Sequence, residues 1–188
     1  ANHHRDLLYA LALELERMAN HVGDLGALAG DIGFLPTMSF CGRIRGDVLN
    51  LTAALCGNRF GRGLIRPGGV GFDVDEAILS IVRTRLESAV RDATAAINLL
   101  WETPSVMSRF EGTGMISRET CEAIGLVGVA ARASGIERDV RQDFPYGIFR
   151  LSHIPVVTWN TGDVFARAFV RWQEIQRSWA FIREQLGA

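Results

Sequence analysis

Leu8, Leu11, Leu15, Met18, Val22 and Leu25 recur at alternating spacings of three and four. Only a period near 3.6 returns apolar side chains to one face at those intervals, so the first thirty residues are constrained to one long amphipathic helix. That helix carries two further stripes. Glu14, Arg17, His21, Asp24 and Asp31 form a polar one, and Ala12, Ala19, Gly23, Gly26 and Gly30 form one of small residues. Small side chains let a neighbouring backbone approach closely, so this helix is expected to be surrounded by others rather than to lie on a surface. The chain's 188 residues are enough for one domain with a sizeable core built around it.

The first helix is predicted over about residues 4–30. Pro36 breaks the pattern, and a second helix is predicted over 37–56, with Cys41, Ile44, Val48, Leu51 and Leu55 inward and Gly57-Asn58 as its stop. Residues 60–72 hold five glycines and Pro67 and read as a loop. A third helix over 74–101 buries Ile78, Val82, Leu86, Ala89, Ala93, Ala96 and Leu100, and Pro104 limits its continuation. A short helix follows Ser117, whose hydroxyl can cap it. The last long helix, 161–186, places Phe165, Phe169, Trp172, Ile175, Trp179, Ile182 and Leu186 on its core face. Between them, from about 126 to 160, the periodicity is irregular, and loops with one or two short strands are expected, one at Ile154 to Thr158. The fold class is therefore mainly α: a long-helix bundle with a small irregular or β insertion, in a single domain over residues 1–188.

Net charge is −1 and the isoelectric point about 6.5, with no run of like charges, so nothing suggests a nucleic-acid or anionic-lipid partner. No apolar stretch approaches the ~18 residues of a membrane span, and no direct span is expected. All twenty basic residues are arginine. Base-composition bias accounts for that, and so does a use of planar, permanently charged groups in buried ion pairs. Cys41, Cys56 and Cys121 are isolated and odd in number, which fits small core residues in a reducing compartment rather than a disulfide framework or metal knuckle. The chain opens at Ala1-Asn2 without an initiator methionine, as a processed chain or a piece of a longer one would.

The segment from Gly125 to Tyr146 concentrates glycines, Arg132, Asp139 and Arg141 in an irregular stretch. Charge buried in such a segment needs partners: these three either form an internal ion-pair network that fixes it or project charge into a site. The polar stripe of the first helix is open in the same way. Facing the interior it is a row of ionisable groups suited to proton transfer; facing water it is the wet side of a helix. Residue types alone favour the wet side. Arg66-Pro67-Gly68-Gly69-Val70 reads as a turn and lacks the spacing of a phosphate-binding loop. Asp163 suits the positive end of the last helix, with Arg167 and Arg171 on one face, a structural ion-pair set. His3-His4 is weak evidence for metal, and no nucleophile arrangement is present.

Five blocks occur in order: Leu13 to His21, Gly30 to Gly33, Arg66 to Val70, Gly125 to Tyr146, and Gly162 to Phe165 with Arg167 and Arg171. Together they resemble the core large subunit shared by respiratory complex I (the 49-kilodalton subunit of NADH-quinone oxidoreductase) and membrane-bound [NiFe] hydrogenases of the formate hydrogenlyase type. The Gly23 to Leu28 stretch looks closer to the hydrogenase branch. The resemblance implies a helical core with a small β part, docked beside an iron-sulfur subunit and membrane subunits at the cytoplasmic face of the inner membrane. It implies redox chemistry with a quinone in one branch and hydrogen chemistry at nickel–iron in the other, with iron-sulfur clusters on partners and any NADH site on another subunit. By it, Asp31 matches an acidic position near the quinone cavity and turns inward. His21 and Arg66 match inner-wall positions, and Arg132, Asp139 and Arg141 the family's loop, making these six the cavity or proton-coupling candidates. The chain departs from the pattern at both ends. It has neither the two Cys-x-x-Cys pairs that hold nickel and iron nor the β-rich region with the quinone-headgroup histidine and tyrosine. The resemblance is to the central helical part of such a subunit, which in isolation is expected to hold no metal or cofactor and to catalyse nothing. The alternative is a non-catalytic scaffold of the same lineage.

Overall fold

Four long helices carry the architecture. In a computed structural model, which describes residues 2–152 and 154–187 with side chains from residue 5 on, they are α1 (Asn2–Asp31), α2 (Leu35–Cys56), α3 (Glu76–Trp101) and α8 (Val164–Gln185). Helix α1 lies at the centre, against α2 on one side and α8 on the other, and α3 closes the bundle against α2 and α8. Its predicted apolar stripe is fully buried: Leu8, Leu11, Leu15 and Leu25 are inaccessible, and Met18 and Val22 nearly so. The inward rows expected on α2 and α3 are buried too, apart from the half-buried Ile78.

The stripe of small residues is the contact with α2. A Cβ on Gly26 would stand 2.8 Å from the Cβ of Cys41, and one on Gly30 would stand 2.7 Å from the sulfur of Met38. Gly23 lies under the stem of Arg45 in the same way. The helices run antiparallel, and at Gly26, where the neighbour is a Cβ rather than the end of a flexible side chain, their separation leaves no room for a side chain on α1. Gly26→Ala should therefore lower stability by ~1–3 kcal/mol, the usual cost of overpacking a filled core, although alanine favours helix. A thermal midpoint at or above that of the parent would show that the two backbones can part without cost.

Element ends differ from expectation for identifiable reasons. Helix α2 starts two residues early because Pro36 falls in its first turn, where no backbone donor is needed. Asp75 caps α3, its carboxylate accepting from the Ile78 amide at 2.9 Å. Pro104 does not merely limit α3; it opens a separate helix, α4 (Pro104–Phe110), that buries Val106 and Phe110. Residues 60–72 are not all loop. They contain a hairpin of β1 (Ile65–Arg66) and β2 (Gly69–Val70), turned through Pro67 and Gly68, whose φ of 89° suits a type II turn.

Helix α5 (Arg118–Ala123) follows Ser117, which caps it as expected. The stretch expected to be irregular holds α6 (Gly128–Ala133), α7 (Val140–Asp143) and a 3-10 turn at Gly147–Arg150. No strand forms over residues 154–158 among those described. Pro155 removes a donor, and the amides just beyond bond to the end of α6, Trp159 to the carbonyl of Arg132 and Gly162 to that of Ala133. Helix α8 buries Trp172, Ile175 and Ile182, and Leu186 just beyond its end, against the main core, whereas Phe165 and Phe169 stack half-buried beside Trp101 and Trp159.

Candidate functional site

Glu174 is inaccessible on α8, although charge there opposes burial, and it gathers three donors. Arg132 of α6 reaches one oxygen at 2.5 Å; Arg17 and His21 of α1 reach the other at 2.7 and 2.6 Å. Arg17 also stands 3.6 Å from Asp139, which Arg141 grips through two bonds of 3.0 and 2.7 Å. The remaining arm of Arg141 donates to Glu14 at 2.7 Å, completing a buried chain across α1, α6, α7 and α8.

The three carboxylates of Glu14, Asp139 and Glu174 face the three guanidiniums of Arg17, Arg132 and Arg141, so the network is neutral when His21 is uncharged. Burial lowers His21 below its ordinary pKa of 6.5, and the Glu174 contact opposes that only in part. Burial alone would raise Asp139, but the Arg141 guanidinium overrides it and holds the carboxyl at about 2. Glu174 is likewise held well below the carboxylate range, its burial outweighed by His21, Arg17 and Arg132. At neutral pH Asp139 and Glu174 are therefore held ionised against their arginine partners. Nδ1 of His21 and one oxygen of Glu14 are buried without a partner among the described residues.

His21, Arg132, Asp139 and Arg141 come together in one internal ion-pair network. The polar stripe of α1 splits: Glu14 and His21 are buried, Arg17 nearly so, Asp24 half-exposed and paired with Arg171 at 2.8 Å. Asp31 stands exposed and does not face the interior. The reason is geometric, since at 3.6 residues per turn the chain from Glu14 to Asp31 carries the side chain about 100° round the axis. Arg66 is also exposed and remote from the network. It donates to the Gly63 carbonyl at 3.1 Å and lies over Phe72, fixing the hairpin. Of the expected ion-pair set only Arg171 pairs with a carboxylate among the described residues. Asp163 instead accepts from the amides of Ala166 and Gly112 at 2.8 Å each, and Arg167 donates to the carbonyls of Gly114 and Gly162.

Two open depressions flank α1, the first of them floored by this network. One, of about 580 Å³, is lined by Leu13, Arg17, Val127, Arg132, Asp139 and Phe144; the other, of about 320 Å³, by Tyr9, Leu49, Phe60, Leu64, Ile65 and Tyr146. Among the described residues no cluster of three or more His, Cys, Asp or Glu could hold a metal ion; the side chains of His3 and His4 lie outside them. The cysteines do not fit a nickel–iron centre. All three are single, buried and well separated, and burial pushes the Cys41 thiol up to about 11, away from the thiolate a metal binds. Among the described residues, no helix is long and apolar enough to cross a membrane.

Residues 31–187 match the family described as the 49-kilodalton subunit of respiratory-chain NADH dehydrogenase. The chain is 34% identical to an NADH-quinone oxidoreductase subunit of Clostridium beijerinckii over 92% of its own length and 47% of that protein. It is 34% identical to NADH-quinone oxidoreductase subunit 4 of Thermus thermophilus, over 92% and 42%. A carbon monoxide-induced hydrogenase of Rhodospirillum rubrum is 32% identical, over 95% and 50%. The chain thus spans about half the length of the curated relatives it matches. The match covers α2 to α8 and every element that contributes to the network beyond α1, and so the chain belongs to the family of the 49-kilodalton subunit of respiratory-chain NADH dehydrogenase.

Proposed function

We propose that this chain is the central helical part of the large subunit of a membrane-associated redox complex, of the NADH-quinone oxidoreductase or group 4 [NiFe] hydrogenase type. Its exposed α1 face and the α6–α7 segment then form one wall of a redox or quinone cavity. The observation that carries the reading is the charge-balanced buried network directly under an open depression whose rim exposes Val127 and Phe144, with a second depression, rimmed by the exposed Phe60 and Ile65, beside it along α1. A wall built from mutually cancelling fixed charges holds its shape and presents little net field to a neutral substrate. Wide apolar rims of this kind mark surfaces that other protein covers.

In this reading His21, Arg132, Asp139 and Arg141 act by holding the wall, and Arg66 by fixing the hairpin beside it. The redox centre comes from elsewhere, since the cysteines here do not suit one. The partners are an iron-sulfur subunit and membrane subunits at the cytoplasmic face of the inner membrane, with any NADH site on another subunit. Asp31, exposed at the far end of α1 and lining neither depression, acts in this reading as a proton-exchanging group on a face that a partner subunit covers. Asp31→Asn in the intact complex is expected to reduce turnover roughly 10²-fold, the low end of what a positioned proton-transfer group contributes, with assembly unchanged. Normal turnover would remove Asp31 from that role and leave the bundle a scaffold.

A further inference from the structure

From Glu137 to Gly147 the only buried side chains are Asp139 and Arg141. The large apolar residues of this stretch point outward: Val140 is 64% exposed, Phe144 76% and Tyr146 44%. Tyr146 meets Phe149 edge-on at the end of the stretch, and otherwise its ties to the bundle are polar. Arg141 bonds Glu14, Arg17 faces Asp139, and Arg132 donates to the carbonyl of Arg138 at 3.1 Å. Helix α7 has four residues, too few to form by itself. Buried ion pairs supply little net stability, because desolvation cancels much of their attraction. A segment held in this way sits at the low end of the stability range within a domain.

We propose that residues 137–147 form a strap, latched to α1 and α6 by ionic and carbonyl ties rather than apolar burial, which opens as a unit while the long helices stay folded. The strap divides two cavities. Asp139 and Arg141 line both the 580 Å³ depression and a second one of about 300 Å³ beside Phe149 and Ile154. Opening merges the two and brings water to Glu14, which is fully buried behind Arg141 while the strap is closed. The inference rests on burial and bonding within this chain and goes beyond the proposed redox role.

Hydrogen exchange on the full chain tests it. The amides of Gln142, Asp143 and Phe144 bond to the carbonyls of Asp139 and Val140 and report the closed strap. They are expected to exchange at least a hundredfold faster than the amides around Val82 and Leu86, with a shallower urea dependence, because little surface is exposed in opening. Glu14→Gln should speed them at least tenfold and leave the α3 amides unchanged, whereas Phe144→Ser should alter them less than twofold. Strap amides that exchange only with global unfolding would overturn the proposal, as would acceleration by Phe144→Ser without any by Glu14→Gln. If Glu14→Gln does not fold, the urea dependence in the parent chain still decides, since a slope equal to that of α3 rules the strap out.

Discussion

Replacing Glu174 by alanine should cost ~3–5 kcal/mol, the penalty for removing one partner of a buried ionic set. Arg17, Arg132 and His21 all depend on its two oxygens, and no other carboxylate reaches Arg132 or His21 among the described residues. For a chain of this size that is a fall of roughly 10 °C in Tm. Burial sets the magnitude, and a surface pair of equal length makes the comparison. Arg43 and Asp92 meet at 2.5 Å with side chains 50% and 38% exposed, so Arg43→Ala should cost less than ~1 kcal/mol. Equal losses in the two variants would mean that the network does not bind α1, α6 and α8 together.

Acid reads the same network in two stages. His21, Asp139 and Glu174 all have lower pKa values folded than unfolded. The unfolded chain therefore binds more protons through each titration, and stability falls as pH falls. Loss begins below about 6.5, where an unfolded histidine becomes charged and the buried His21 does not. It steepens below about 4, where unfolded carboxylates take up protons that Asp139, at about 2, still refuses. Asp139 alone accounts for about 2 kcal/mol across that window. Urea midpoints measured from pH 7.5 to 3 should show both limbs in the parent chain and a reduced lower limb in Glu174→Ala.

The apolar rows of α1, α2 and α3 are legible because each faces one continuous core, the condition under which a 3.6-residue period survives in the sequence. Arginine usage is legible in part: Arg141 grips Asp139 through two donors and Glu14 through a third, a geometry that a lysine ammonium cannot supply. Glu174 escapes a reading by periodicity, because the aromatic row of α8 draws attention to one face while α6 covers another. Its signal is Ala166, Val170, Glu174 and Ser178, a second row at four-residue spacing in which one acid stands among small and apolar neighbours. Asp31 falls outside the interior because a polar stripe does not run straight along a helix whose faces turn. The hairpin and α7 escape for want of length, since strands of two residues and a helix of four leave no period to detect.

Gly162→Ala should be nearly as damaging as the loss of Glu174, at ~2–5 kcal/mol, although no charge is involved. Gly162 has φ +65°, and a Cβ there would stand 2.0 Å from the carbonyl oxygen of Ile116 and 3.0 Å from the hydroxyl of Ser134. The left-handed conformation alone costs an alanine ~1–2 kcal/mol, and the backbone collision adds ~1–3 kcal/mol because a carbonyl cannot rotate aside as a long side chain can. Gly57 separates the two contributions: its φ is +71° with nothing within 4 Å of the added atom, so Gly57→Ala should show the conformational cost only. The collision also falls where several elements are joined. Ile116 donates its amide to the Gly162 carbonyl at 3.0 Å, Gly162 donates to Ala133 at the end of α6, and Asp163 caps α8 while holding the Gly112 amide. Displacing residue 162 shifts the start of α8, which carries Glu174 three turns later, and so loosens Glu174 from Arg132 without touching either. If Gly162→Ala melts within a degree or two of Gly57→Ala, the joint is compliant and the ionic network holds these segments in place without its help.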